Sequence, residues 1–337
     1  MPKINSHILN VSRTTPLYSD SNKIRLHASE RDDPYTAAVW EDYLSRVGST
    51  DIMYYPNIDD AYNVLEKFSD ISKSNLTLYD GSSNGIRNLF SVFVQPNSTV
   101  ISTDPAFPMY KVYADLSRAE YVEVTYTDQY FPEKNIISAI NERTSVVIIS
   151  NPSSPVGDII STTTIMSIIN ACNFYNALLI IDEAYIEFSN ATSFAHYATK
   201  HDNVIVLRTF SKACGSAGAR IGYSVSTEKN CDLLDRVRSM NEISGMSIKW
   251  METLYDHKSI IDSYISAVKH NRKLLQTYYS IHGKLVICSQ TNFIHVSNLL
   301  LPEEFIYKKC KMPWSNIEFS RLSIPANKAT INKLLSL

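Results

Sequence analysis

With 337 residues, 44% of them hydrophobic, the chain has enough apolar material for a large core and is expected to split into two domains. Its 32 basic and 34 acidic residues nearly cancel, and neither a long single-sign run nor a basic aromatic stripe is present, which argues against a nucleic-acid partner. Five widely spaced cysteines without a CxxC pair (Cys172, Cys214, Cys231, Cys288, Cys310) argue against a disulfide framework or a zinc site and fit a reducing compartment.

The opening segment, MPKINSHILNVSRTTPLYSD, has no apolar core of signal-peptide length, and no run approaches membrane-spanning length. A cytoplasmic protein without a membrane partner is the expectation. The first forty-odd residues fit no regular pattern. From about Leu76 to Val225, short apolar runs alternate with amphipathic segments. The helix candidate NGIRNLFSVFV is followed by the strand candidates STVISTD, YVEVTY and SVVIIS. The helix candidate TTIMSIINACNFY then precedes the strands ALLIIDEA and NVIVLRT. This alternation predicts an α/β fold, with a mainly parallel sheet covered by helices on both faces. Beyond Met240, the long helical stretch SIIDSYISAVKHNRKLLQTYYSIH leads to two strand candidates, TNFIHVS and EFSRLSI, and a last helix, ATINKLLSL. The expected division is a large domain over 45–238 and a smaller α/β domain from 1–44 and 239–337.

The chain has only nine glycines, and six of them fall in three loops: DGSSNGI, NPSSPVG and the stretch around Lys212. Ligands of parallel sheets collect at the carboxyl ends of strands, where these loops begin. DGSSNGI runs into a helix, so its free N–H groups and hydroxyls make an anion site, although an ordinary helix cap would look the same. LLIIDEAYIEF ends a buried strand in Asp182, which either caps a helix or faces a cation, such as a protonated heterocyclic nitrogen. In RTFSKACGSAGAR, Thr209, Ser211 and Arg220 converge on a phosphate beside Lys212. A lysine able to form an imine, an aspartate partner for a ring nitrogen and a phosphate cradle together describe a site for pyridoxal 5'-phosphate.

With these motifs, and with DPAFPMY, YYPN and RLSI in the same order, the chain resembles the fold-type I pyridoxal-phosphate aminotransferases of class I/II. Within them it most resembles the histidinol-phosphate aminotransferase group. The resemblance implies that Lys212 forms the imine and moves the substrate proton. Asp182 would hold the ring nitrogen and Tyr185 the ring oxygen. Ser82, Ser83, Thr209, Ser211 and Arg220 would hold the phosphate, and Phe107 would stack on the ring. Tyr55 would reach the cofactor of a neighbouring subunit, which implies a homodimer. Arg321 would take a substrate carboxylate or phosphate, and Tyr35 would be a substrate contact.

The sequence departs from the family at several places. Ser154 stands where the family has an asparagine, and a serine hydroxyl, branching at Cβ, is expected to reach less far toward the ring oxygen. Upstream of Arg321, where the family often has an arginine suited to a phosphorylated substrate, the chain reads YKKCKMPW, so Lys309 or Lys311 is the expected substitute. The implied activity is transfer of an amino group between a small-molecule amino donor and a 2-oxo acid acceptor. Decarboxylation of a phosphorylated amino acid on the same scaffold is the alternative within enzymes, and a non-catalytic binding protein the alternative outside them.

Overall fold

The computed structural model describes residues 4–12 and 22–336. Seven strands form the principal sheet. Across it lie Leu76–Tyr79, Gly222–Val225, Val204–Thr209, Leu178–Asp182, Thr144–Ser150, Thr99–Asp104 and Glu120–Thr125. Six of them run parallel, and Gly222–Val225 runs antiparallel to both of its neighbours. The central strands are apolar on both faces, and every residue of Leu178–Asp182 is buried. That composition suits a sheet sandwiched between helix layers.

The helices follow from local signals. Ser161 accepts a hydrogen bond from the Thr164 N–H and starts Thr162–Phe174. Ile165, Ile168, Ile169 and Cys172 bury the face of that helix against one side of the sheet. On the other side Ile86, Leu89 and Phe90 of Ser82–Phe93 pack with Val146, Ile148 and Ile180.

A second sheet of four antiparallel strands has the order Lys308–Lys311, Glu318–Ser323, Phe293–Ser297, Val286–Ile287. Phe293, Ile294, Val296 and Leu322 pack against Tyr264, Val268 and Leu275 of the 24-residue helix Lys258–Ile281. Ile24–Arg25 pairs in parallel with Phe305–Ile306, which ties the chain's first described strand to this unit. Val39, Tyr43, Ile248, Trp250 and Met251, which the sequence reading assigns to the smaller domain, pack in the same cluster as Leu179, Ile181 and Val206 of the seven-stranded sheet. Among the described residues no helix is long and apolar enough to cross a membrane.

Candidate active site

The parallel strands deliver their carboxyl ends to one edge of the sheet, and a cavity of about 250 Å³ opens there. Tyr79 leads to Ser82 and Ser83, Asp104 to Phe107, Ser150 to Ser154, Asp182 to Tyr185, and Thr209 to Ser211 and Lys212; all of these loop residues and Asp182 line the cavity. Because Gly222–Val225 runs the other way, its amino end lies at this same edge and brings Arg220 to the wall. Ten of the expected site residues are thus gathered by topology alone.

The acid at the end of Leu178–Asp182 faces the cavity because side chains alternate along a strand. Its neighbour Glu183 is fully buried and accepts from Arg208 Nε at 2.8 Å, from the Phe194 N–H at 2.7 Å and from Ser193 Oγ at 2.8 Å. Glu183 is therefore satisfied within the protein, whereas Asp182 keeps its carboxylate toward the cavity without a cation at ion-pair distance among the described residues. Asp182 Oδ2 accepts from the Tyr110 hydroxyl at 2.7 Å, and Oδ1 accepts from the Ala184 N–H at 3.1 Å. Burial pushes its carboxyl above the usual carboxylate range, and these two donors only partly offset it.

Lys212 Nζ donates to the carbonyl of Ala28 at 2.9 Å and lies 5.7 Å from the centre of the Tyr185 ring. For the Tyr185 phenol, burial acts upward. The charges of Lys212 and Arg321, with hydrogen bonds involving Ser29 and Ser154, outweigh it and hold the phenol below its ordinary value. A phenol tuned this way is a good partner for a neighbouring oxyanion.

Arg220 sits in the left-handed region (φ 52°), and its Nη1 donates to the Ala217 carbonyl at 3.0 Å. Gly81, at φ +95°, precedes the helix Ser82–Phe93 without capping it by a side chain. A Cβ on Gly81 would collide with the Arg220 guanidinium, and one on Gly222 would collide with the Ser82 N–H. The hydroxyls of Ser82, Ser83 and Ser211 have no hydrogen-bond partner among the described residues. A guanidinium, three idle hydroxyls and an uncapped helix start form a cradle suited to a phosphate. With Asp182 and Lys212 lining the same cavity, the donor set fits pyridoxal phosphate.

Three expected residues lie elsewhere. Tyr35 does not line the cavity: its hydroxyl donates to the Cys214 carbonyl at 2.6 Å and meets Ser216 Oγ at 3.2 Å, and its ring packs edge-on against Trp250. That hydrogen bonding ties it to the segment just after Lys212. Tyr55 is 87% exposed beside the exposed Ile52, Met53 and Tyr54. Arg321 is buried next to the cavity. Its Nη2 donates to Ser29 Oγ at 3.0 Å, and its guanidinium lies 3.9 Å from the centre of the Phe293 ring.

The structure also adds residues. Ala28 and Glu30 line the cavity, from a segment with no local pattern to reveal them, and Tyr110 lies in the quoted DPAFPMY motif without a signal that singles it out. Neither Lys309 nor Lys311 stands beside Arg321. Lys309 pairs with Glu318 at 3.1 Å, whereas Lys308 is directly opposite Arg321 across the sheet. Burial lowers the Lys308 ammonium's pKa, and the charges of Arg321 and Lys212 lower it further. Strand pairing, not sequence spacing, selects this lysine.

The sequence profile of the aminotransferase class I and II family matches residues 37–306. Histidinol-phosphate aminotransferase 1 of Idiomarina loihiensis is 27% identical over 252 residues, 73% of this chain and 68% of that protein. The histidinol-phosphate aminotransferase of Clostridium novyi is 30% identical over 283 residues, 82% of this chain and 78% of that one. In structure, the histidinol-phosphate aminotransferase of Sinorhizobium meliloti, solved with pyridoxal-5'-phosphate, superposes with a TM-score of 0.82 at 21% identity, covering 93% of this chain and 89% of that chain.

Proposed function

The chain belongs to the aminotransferase class I and II family, and from that premise we propose that its amino donor is an amine carrying an anion, a phosphate or a carboxylate, taken by Arg321 with Lys308 beside it. The protein is a pyridoxal-phosphate-dependent aminotransferase. Histidinol phosphate, the compound in the names of the relatives, belongs to this donor class. The observation that carries the proposal is the pair of cations facing each other across the small sheet, next to the cavity that holds Lys212.

When bound, pyridoxal phosphate supplies an electron sink that makes the Cα–H of an attached amine acidic. The protein's residues do the rest. Ser82, Ser83, Thr209, Ser211 and Arg220 would anchor the phosphate, and Phe107 the ring face. Asp182 would keep the ring nitrogen protonated, and the buried Tyr110 hydroxyl holds its carboxylate in place. Tyr185 and Ser154 would face the ring oxygen. Lys212 Nζ, released from the Ala28 carbonyl, takes the proton from the donor Cα and returns it. Arg321, sheltered against Phe293, orients the substrate through its anion.

We further propose a homodimer in which Tyr55 and its exposed apolar neighbours meet a second copy, the support being 87% exposure of a tyrosine next to exposed Ile52 and Met53. The expected two-domain division, 45–238 against 1–44 with 239–337, is proposed with its boundary moved, the support being that Val39, Tyr43 and Trp250 pack with the seven-stranded sheet. A reducing, cytoplasmic setting is proposed from the five free cysteines.

The test is a donor screen on the loaded protein with 2-oxoglutarate as acceptor. Histidinol phosphate and other anionic amines are expected to react, and histidinol without its phosphate to react at least tenfold more slowly, since a charge-assisted hydrogen bond is worth roughly 1.5–3 kcal/mol. Equal rates with and without the anion would overturn the reading. Lys212→Ala should still bind the cofactor and lose turnover.

A further inference from the structure

Lys308, Arg321 and His295 stand opposite one another on three adjacent strands. Directly opposed residues of antiparallel strands project to the same face, with Cβ atoms about 4.5–5.5 Å apart. Phe293, two residues before His295, carries the Arg321 guanidinium on its ring and lies edge-on to both Tyr185 at 5.5 Å and His295 at 5.6 Å. His295 is therefore one ring removed from a residue that lines the cavity.

His295 is wholly buried, and neither of its ring nitrogens has a hydrogen-bond partner among the described residues. The Nε of Arg321, directly opposite on the neighbouring strand, also lacks one among the described residues. Burying an imidazole this way costs stability that a leucine at the same place would not. Burial, and after it the charge of Arg321, pushes the imidazole down to about 3, so the ring is neutral at working pH. A neutral imidazole carries one acceptor nitrogen, and Arg321 Nε–H is a donor. The two unmatched groups are complementary neighbours.

We propose that His295 is the positioning residue of Arg321: in the substrate-bound protein its acceptor nitrogen takes the Arg321 Nε–H, fixing the guanidinium plane so that both Nη groups grip the substrate anion as a fork. The proposal rests on Arg321 being the substrate-anion residue. Among the described residues the guanidinium of Arg321 is hydrogen-bonded through Nη2, to Ser29 Oγ, and rests on the Phe293 ring. Functional hydrogen bonds are often long or misaligned without ligand and tighten when it seats. A planar guanidinium held on one edge loses less freedom on meeting an anion.

The experiment uses the cofactor-loaded protein and maleate, a non-reacting dicarboxylate, with binding measured by calorimetry. His295→Leu should weaken maleate about tenfold, the share expected of one hydrogen bond to a charged group. His295→Gln, which keeps an acceptor at similar reach, should stay within about threefold of wild type. In turnover, His295→Leu should raise KM for the anionic substrates and leave kcat within about twofold. It should also raise the melting temperature, because two unpartnered buried nitrogens are removed; a merely structural histidine would lower it. Wild-type maleate affinity in His295→Leu, or equal weakening in Leu and Gln variants, overturns the proposal. Arg321→Ala separates this failure from that of the reading beneath it. If Arg321→Ala weakens maleate while His295→Leu does not, only the role of His295 falls. If Arg321→Ala binds maleate normally, the substrate-anion site itself is wrong, and the proposal falls with it.

Discussion

Tyr110 donates a 2.7 Å hydrogen bond to Asp182, and both side chains are buried where the strand Leu178–Asp182 ends. A buried carboxylate with one protein donor fewer is harder to keep ionised. Tyr110→Phe should therefore push the Asp182 carboxyl further up and cost about 1–3 kcal/mol of stability. Cofactor affinity should fall several-fold, because a neutral acid cannot pair with a protonated ring nitrogen. Fluorescence titration of cofactor into the two proteins checks this, and an unchanged Kd would contradict it.

The raised Asp182 pKa sets a pH dependence in the cofactor-free protein. The unfolded carboxyl releases its proton near pH 4, whereas the folded one holds it to higher pH, so this group's contribution is complete below about pH 4 and is lost as pH rises through the folded value. Asp182→Asn should be less sensitive over that window. Melting curves of both proteins between pH 4 and 8 should diverge, the variant gaining relative to wild type. Parallel curves would show that Asp182 carries no such linkage.

Gly81→Ala joins two penalties. Its φ of +95° is unfavourable for any residue with a Cβ, and the methyl would strike the Arg220 guanidinium. A loss of about 1–3 kcal/mol of stability is expected from the backbone alone. Displacing Arg220 should also weaken inorganic phosphate and cofactor together, by at least tenfold. Binding of inorganic phosphate to the cofactor-free protein separates this from effects on Lys212.

Lys308 and Lys309 should behave differently although they are adjacent. Lys308→Ala is expected to raise KM for a phosphorylated donor severalfold and leave cofactor binding alone. Lys309→Ala, which removes only an exposed pair with Glu318, should change neither. Equal effects would mean that the pairing of Lys308 with Arg321 has no functional weight.

Much of the site was legible because it sits where apolar runs stop. Asp182 and Lys212 follow buried strands, and the serines and glycines follow the first strand of the sheet, so a linear reading finds them. Contacts made through pairing were not legible. Two neighbouring lysines look alike until the register puts Lys308, and not Lys309, across from Arg321. Nothing in the sequence around Tyr35 shows that its hydroxyl meets the Cys214 carbonyl, 179 positions away. Tyr110 ends the DPAFPMY stretch, but a tyrosine at helical spacing reads as packing unless its partner is known. The antiparallel course of Gly222–Val225 was hidden too, since four apolar and small residues do not encode direction.

The segment Ala28–Glu30 carries one more consequence, for synthesis. Ser29 N–H donates to Ser323 Oγ at 2.8 Å, and Ser29 Oγ accepts from Arg321, partners that lie 294 and 292 positions later in the chain. The two Ser29 anchors of this wall therefore cannot form until the strand Glu318–Ser323 has left the ribosome, although the Ala28 carbonyl can already accept from Lys212. A nascent chain that has reached Val225 already has all seven strands of the principal sheet and every residue of the proposed phosphate cradle, while Arg321 and Ser323, the partners of Ser29, are still to be made. Contacts so distant in sequence form slowly, because a long loop must close first. The order of translation thus separates the residues proposed to anchor the cofactor, all made by Val225, from the proposed substrate-anion residue Arg321, which comes nearly a hundred residues later.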